Sequence, residues 1–278
     1  MSAGSPLLEV AGASVTIGEK TIVEACDFTL SPGELVAVVG PNGAGKSTLM
    51  RAAAGMQKTS AGQIRWDGRE VGQIGSRKLA KIRAFVPQRA RVPDGVRVRE
   101  AVAIGRSPHL GPLRGPGQHD HDAIDRAMLR GGIFDLHDRF LNTLSGGELQ
   151  RVQLAVALAQ EAPALIADEP TAHLDLGATS MMAGLMRSLA DEGLAVALVV
   201  HDLALAAAVS DRVVVLSRGR TVANGPASEV LDADLLAEVW HVDAELESNQ
   251  EGRTALHVHW LGTLSHRAPA SKLEELAR

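Results

Sequence analysis

The sequence contains no tyrosine, and aromatic residues make up only 3% of its 278 positions. Any flat ligand must therefore be held without tyrosine stacking, a contact otherwise worth about 0.5–1.5 kcal/mol beyond area burial. A single cysteine, Cys26, excludes an internal disulfide framework and fits a reducing compartment. It reads as a small buried hydrophobe. No charged-then-apolar segment opens the chain, so a cytosolic protein is expected. A bilayer span needs roughly 20 apolar residues. The nearest candidate, residues 194–209, is broken by His201-Asp202 and reads as a strand followed by a helix. The chain is expected to be soluble and to meet a membrane only through a partner. A formal net charge of -5 gives no case for general nucleic-acid affinity. There is no internal repeat and no low-complexity segment.

What is present is enough chain for one large α/β core, with or without an appendage. The run Leu35-Val36-Ala37-Val38-Val39 reads as a buried parallel strand. It leads into Gly40-Pro41-Asn42-Gly43-Ala44-Gly45-Lys46-Ser47-Thr48 and then into good helix material, Leu49-Met50-Arg51-Ala52-Ala53-Ala54. Strand, glycine-rich turn and helix are the context of a phosphate-binding loop, G-x-x-x-x-G-K-[ST]. Small residues let successive backbone N–H groups converge on phosphate oxygens, and the helix N-terminus adds its positive end. Lys46 would reach the β- and γ-phosphates of a nucleotide such as ATP, while the Ser47 hydroxyl would coordinate Mg²⁺.

Around this loop the chain reads as follows. Residues 7–15 and 21–30 are β-rich and flank Gly18-Glu19, a plausible hairpin. Residues 62–66 read as another strand, with a turn at Asp67-Gly68, and Ala84-Phe85-Val86 precedes Pro87-Gln88. From 89 to 160, Pro, Gly, Arg and His become frequent between helical segments, which suggests a helical subdomain inserted into the core. A strand at Ala164-Leu165-Ile166-Ala167 follows, then helix 179–191, strand 194–200, helix 203–209 and strand 212–216. That alternation predicts βα units on a parallel sheet, with the phosphate loop at the strands' carboxyl ends. The tail adds a helix near 235–240 and a β-like pair, 242–246 and 254–260. The expected fold is α/β, a P-loop core with an N-terminal antiparallel β-subdomain. The expected division is a main domain at 1–230 and a small α+β extension at 231–278.

Two further stretches carry chemistry. Asp168-Glu169 ends a hydrophobic strand, where nucleotide hydrolysis needs an acidic metal ligand and a group to position the attacking water. Asp168 would hold the metal and Glu169 would polarise the nucleophile. Leu144-Ser145-Gly146-Gly147-Glu148 precedes a strongly helical run, 149–160. Ser145 would cap that helix, making its N-terminus a second anion site.

This last stretch resembles the signature of the ATP-binding-cassette (ABC) ATPases, and the resemblance extends over about residues 7–230. Gln88 then matches the glutamine loop, which contacts nucleotide and metal. Ala172-His173-Leu174-Asp175 matches the dimer-contact loop, and His201 the switch histidine. The resemblance implies two copies packed head to tail. Ser145, Gly146 and Gly147 of one copy would contact the γ-phosphate bound by the other, with Glu169 and His201 beside it. Ile17 takes the place of the aromatic residue that often stacks on adenine. His119-Asp120-His121-Asp122 and His257/His259 have ligand-type side chains. Neighbours in sequence seldom converge on one ion, and the first group is expected in a Pro/Gly-rich loop, so neither is read as a metal site.

Residues 97–110, with Gly105-Arg106-Ser107-Pro108-His109, look like the "GR-x-PH" part of importer ATPases for iron–siderophore, haem or cobalamin. Residues 224–231 resemble that group too. The resemblance implies a separate membrane permease docked near 97–110 and an external substrate-binding protein. It places the chain on the cytoplasmic face of the cell membrane, with no nucleic-acid partner. The alternatives are a non-transport cassette acting in DNA repair or on the ribosome, and a small-molecule kinase. The first lacks its long coiled coil or second cassette here; the second leaves residues 144–148 unexplained.

Overall fold

The computed structural model describes residues 5–88, 93–111, 115–248 and 254–259. The chain opens with β1 (Leu8–Ile17) and β2 (Lys20–Leu30), a hairpin turning at Gly18-Glu19. It continues through β3 (Leu35–Val39), α1 (Lys46–Ala53), β4 (Ala61–Trp66), β5 (Arg69–Glu70), α2 (Ser76–Leu79) and β6 (Arg83–Val86). Three helices follow: α3 (Val98–Ala103), α4 (Gln118–Arg130) and α5 (Gly146–Ala159). Then come β7 (Ala164–Asp168), α6 (Leu176–Asp191), β8 (Ala195–Val199), α7 (Leu203–Val209), β9 (Arg212–Ser217) and β10 (Arg220–Gly225). The described tail holds α8 (Ala227–Val230), α9 (Ala233–Trp240), β11 (Ala244–Ser248) and β12 (Thr254–Val258). Arg89, where the inserted subdomain was expected to begin, and Trp260 lie outside the described residues.

The central sheet has the order β10-β9-β3-β8-β7-β6 and is parallel except for β10. Its inner strands read as unbroken apolar runs because both faces are covered. Leu35, Ala37 and Val39 of β3 enter one cluster with α6, α7 and α9, whereas Val36 and Val38 enter another with α1 and the hairpin. Strands β7 and β8 divide in the same way, Leu165 and Leu198 to the first side, Ile166 and Ala197 to the second. Leu231, Leu236, Val239 and Ala244 of the tail also join the first cluster.

The second sheet, β2-β1-β4-β5, is antiparallel and lies over α1. Trp66, fully buried, fastens the two by donating its indole N–H to the Ala53 carbonyl at the end of α1, 2.7 Å away. Cys26 is buried there too, its thiol 3.2 Å from the Gly219 carbonyl, and burial pushes its pKa up. Burial and the raised pKa both disfavour the thiolate, the reactive form of cysteine.

A third cluster joins α3, α4 and α5 through Val98, Val102, Ile124, Met128, Val152 and Ala155. Here the structure corrects one expectation. His119-Asp120-His121-Asp122 is not a loop but the first turn of α4, started by the Gly117 N–H bonding Asp120 Oδ2 at 2.9 Å. Burial of Ala123, Ile124, Ala127 and Met128 on one face holds that helix despite its polar beginning.

Candidate active site

The glycine-rich loop expected to bind phosphate leaves β3 at the carboxyl edge of the sheet and enters α1 directly. Its glycines are required by crowding. Gly40 has φ 150°, and a β-carbon there would sit 2.0 Å from the Leu216 carbonyl oxygen. Gly45 has φ 99° with Ile22's carbonyl 2.9 Å from the same imagined atom. Any larger residue would strain the backbone or push β2 and β9 away.

Lys46, the first residue of α1, is 5% exposed. Its ammonium donates to the carbonyls of Gly40 and Pro41 at 2.8 and 3.0 Å. Two of its three N–H donors are thus used to fold the loop, and the third is available to a phosphate oxygen. Burial lowers its pKa, and the charges of Glu169 and Asp168 oppose that shift.

The acidic pair comes from the neighbouring strand but one. Asp168 ends β7 fully buried, and its Oδ1 accepts from the Ser47 hydroxyl at 2.8 Å. Its Oδ2 is buried with no hydrogen-bond partner. Burial raises the Asp168 pKa, the Ser47 bond opposes this, and Glu169 adds to it. A buried carboxylate oxygen without a partner is costly unless something else meets it. With the Ser47 hydroxyl alongside, it forms an oxygen donor pair of the kind a hard divalent cation takes, so the residues fit Mg²⁺.

Glu169 follows with φ 53°, a left-handed conformation that turns its side chain out of the sheet into the cleft. Its Oε1 lies 2.6 Å from His201 Nε2. Its Oε2 accepts from the Gln88 side-chain amide. Gln88 follows β6, Glu169 follows β7 and His201 follows β8, so three adjacent parallel strands deliver three side chains to one point. The resemblance already implied Glu169 and His201 beside one phosphate; the sheet order adds Gln88 to them.

The open cleft in front of this cluster measures about 780 Å³ and is lined by residues 42–48, Gln88, Glu169 and His201. Lys20, Ile22, Ala172 and His173 complete the lining. Ile17, expected against the base, is half exposed at the hairpin tip and pairs with Lys20, which borders that cleft. It closes β1 opposite Lys20, two residues short of where β2 crosses the loop at Ile22. Lys20 and Ile22 were not singled out in the sequence, because their place depends on β2's approach to Gly45, which spacing along the chain does not reveal.

Ser145 caps α5 through a reciprocal pair: its hydroxyl accepts from Glu148 N at 3.3 Å, and Glu148 Oε2 accepts from Ser145 N at 2.8 Å. Ser145, Gly146 and Gly147 do not line the cleft of their own chain. Gly147 packs instead beside Leu174 and Ala178, and Asp175 caps α6 through Ala178 N at 2.7 Å. Among the described residues, no three His, Cys, Asp or Glu side chains group as metal ligands.

The ABC transporter family model matches residues 23–172. The hemin import ATP-binding protein HmuV of Nocardia farcinica is 44% identical over 227 residues, spanning 82% of this chain and 78% of that protein. The iron(3+)-hydroxamate import ATP-binding protein FhuC of Bacillus subtilis is 34% identical over 230 residues, 82% of this chain and 86% of that one. A solved chain from a transporter assigned to the metal-chelate type, in an inward-facing conformation, superposes with a TM-score of 0.79 at 25% identity. It covers 91% of this chain and 97% of its own. Likeness of this extent identifies the family: the chain belongs to the ABC transporters, as one of their ATP-binding, ATP-hydrolysing subunits.

Proposed function

We propose that this ATPase powers import of a metal chelate through a separate membrane permease, with haem the first substrate to test. The observation that carries the transport reading is an apolar groove beside the catalytic cluster. It measures about 260 Å³ and is walled by Phe85, Pro87, Val96, Ile104, Leu141 and Val156. Pro87 adjoins Gln88, so a helix or loop seated in this groove would press on the residue that holds Glu169. Ile104 is 62% exposed at its rim, an apolar side chain with no cover in the single chain. Among the described residues, no helix is long and apolar enough to cross a membrane. The substrate class rests on the relatives named for hemin and iron-hydroxamate import, and an external binding protein would deliver the chelate.

In this reading the backbone N–H groups of 42–47 and the α1 N-terminus hold the phosphates, and Lys46 supplies a charge-assisted bond to the β- and γ-phosphates. Ser47, Asp168 and the Gln88 side-chain carbonyl would hold Mg²⁺, which would offset phosphate charge. Glu169 accepts a hydrogen bond from the attacking water and orients it, while His201 reaches the γ-phosphate and steadies the developing charge. Ile17, with Lys20 and Ile22 next to it on the hairpin, would pack beside the base. Ser145, Gly146 and Gly147 of a second copy close the site from the other side. ATP then draws two copies together, and the permease follows the closure.

Charge reversal at Arg97 or Arg99 is a poor probe of docking. Arg97 stacks 4.5 Å above the Phe140 ring and bonds the Asp138 carbonyl, and Arg99 is paired with Asp125. Ile104→Glu is cleaner, because it alters only the groove rim. Co-purified with its permease, the wild-type chain should show ATPase stimulated by haem-loaded binding protein. Ile104→Glu should lose that stimulation and keep the basal rate of the isolated chain. Stimulation by DNA or ribosomes but not by a chelate would contradict the transport reading.

A further inference from the structure

The stretch resembling "GR-x-PH" is built mainly as an internal joint. Gly105 lies so close to α5 that a β-carbon on it would meet the Val156 carbonyl at 2.2 Å. Arg106 is 1% exposed; its Nε donates to Asp120 Oδ1 at 2.9 Å, and its Nη1 to the Ala159 carbonyl and Glu161 Oε2, both at 2.7 Å. His109 Nε2 donates to the Gln160 carbonyl at 2.8 Å. Arg77, from α2, donates Nε to the Pro108 carbonyl at 2.9 Å and Nη2 to that of Leu110. The end of α5 is thus gripped by the stretch, and the stretch is tied to the core.

Gln160 makes the direct link. It caps the C-terminus of α5, and its side-chain amide donates to the Arg83 carbonyl at 2.7 Å and also to the Ala80 carbonyl. Strand β6 is the edge of the central sheet. The Ile82 carbonyl accepts from Ala164 N on β7, so the next carbonyl, that of Arg83, faces the open edge. Gln160 fills that edge position, where a further strand would otherwise donate.

The two ends of this arrangement matter. Helix α5 has 14 residues and begins at the Ser145 cap; at 1.5 Å per residue it is about 21 Å long. Strand β6 begins at Arg83 and leads through Pro87 to Gln88, which holds Glu169. We propose that Gln160 is a positioning residue: by pinning the end of the signature helix to the start of β6, it makes the placement of Ser145–Gly147 on a second copy's nucleotide and the setting of Gln88 on Glu169 one motion. This rests on the reading that a second copy's Ser145–Gly147 complete the site.

The test compares Gln160→Met and Gln160→Glu, which cannot donate, with Gln160→Lys, which can. Steady-state ATPase of the full chain is measured with nucleotide affinity and melting temperature. Both non-donors should lower kcat about tenfold while KM for ATP stays within about twofold, because the phosphate loop is untouched. Gln160→Lys should restore kcat to within about twofold of wild type. Should Gln160→Glu fail to fold, Gln160→Met, which adds no charge, carries the test alone. Wild-type kcat in the non-donors overturns the proposal, as does an equal loss in Gln160→Lys. Light scattering of wild type with a non-hydrolysable ATP analogue separates the two readings. No dimer sinks the split site itself, whereas a normal dimer with unaffected Gln160 variants sinks only the joint.

Discussion

Glu169→Gln binds ATP as tightly as the wild type and hydrolyses it about 10²–10⁴-fold more slowly, the range typical of a lost general base or water-positioning group. Glutamine keeps the size of the side chain and an oxygen at the place where His201 Nε2 now sits 2.6 Å from Oε1. What it loses is the negative charge that, in the proposed mechanism, would draw a proton from the attacking water. In the proposed site the nucleotide is held by Lys46 and the loop backbone rather than by Glu169, so affinity should be preserved. Single-turnover hydrolysis beside equilibrium nucleotide binding separates the two quantities. If rate and affinity fell together, Glu169 would be a binding residue and its hydrolytic role would be wrong. His201→Ala should slow turnover in the same assay.

Lys46→Ala abolishes turnover and weakens ATP binding. Each charge-assisted contact from the ammonium is worth roughly 1.5–3 kcal/mol, so losing contacts to two phosphates costs about 10²–10⁴-fold in affinity. A second effect comes from the loop. Lys46 Nζ holds the Gly40 and Pro41 carbonyls, so its removal should also loosen the backbone proposed to cradle the phosphates. Isothermal binding and turnover on the purified variant, with a melting curve to verify folding, measure both. Near-normal turnover would refute the assigned phosphate loop.

The elements legible in the sequence are those whose signal is local. Strands β3, β7 and β8 stand out because both their faces are covered, which leaves no polar residue to interrupt the run. The glycine-rich turn between β3 and α1 is legible because Gly40 and Gly45 meet backbone carbonyls that tolerate nothing larger. The Ser145 cap is legible because Glu148, three residues on, answers it. Strand β10 was not foreseen. Its alternation of exposed and half-buried residues is weak, and Arg218-Gly219, both with positive φ, makes the tight turn that reverses it. The start of α4 was misread because Pro and Gly before it, and four polar residues at its head, outweigh a buried face that begins only at Ala123. The Gln160 joint could not be read at all, since it unites residues 77 and 80 positions apart. The same holds for the cleft's border at Lys20 and Ile22, which depends on how β2 crosses the loop.

Light scattering of Glu169→Gln with MgATP tests most directly whether one chain holds two half-sites. Lys46 and Ser47 line the cleft, and Ser145–Gly147 do not. The account therefore predicts a mass near twice the 29.2 kDa of the chain when ATP is bound and cannot be hydrolysed. The mass should return to that of a single chain when Ser145→Arg is added. A strict monomer at high protein concentration, with ATP shown to be bound, would contradict it.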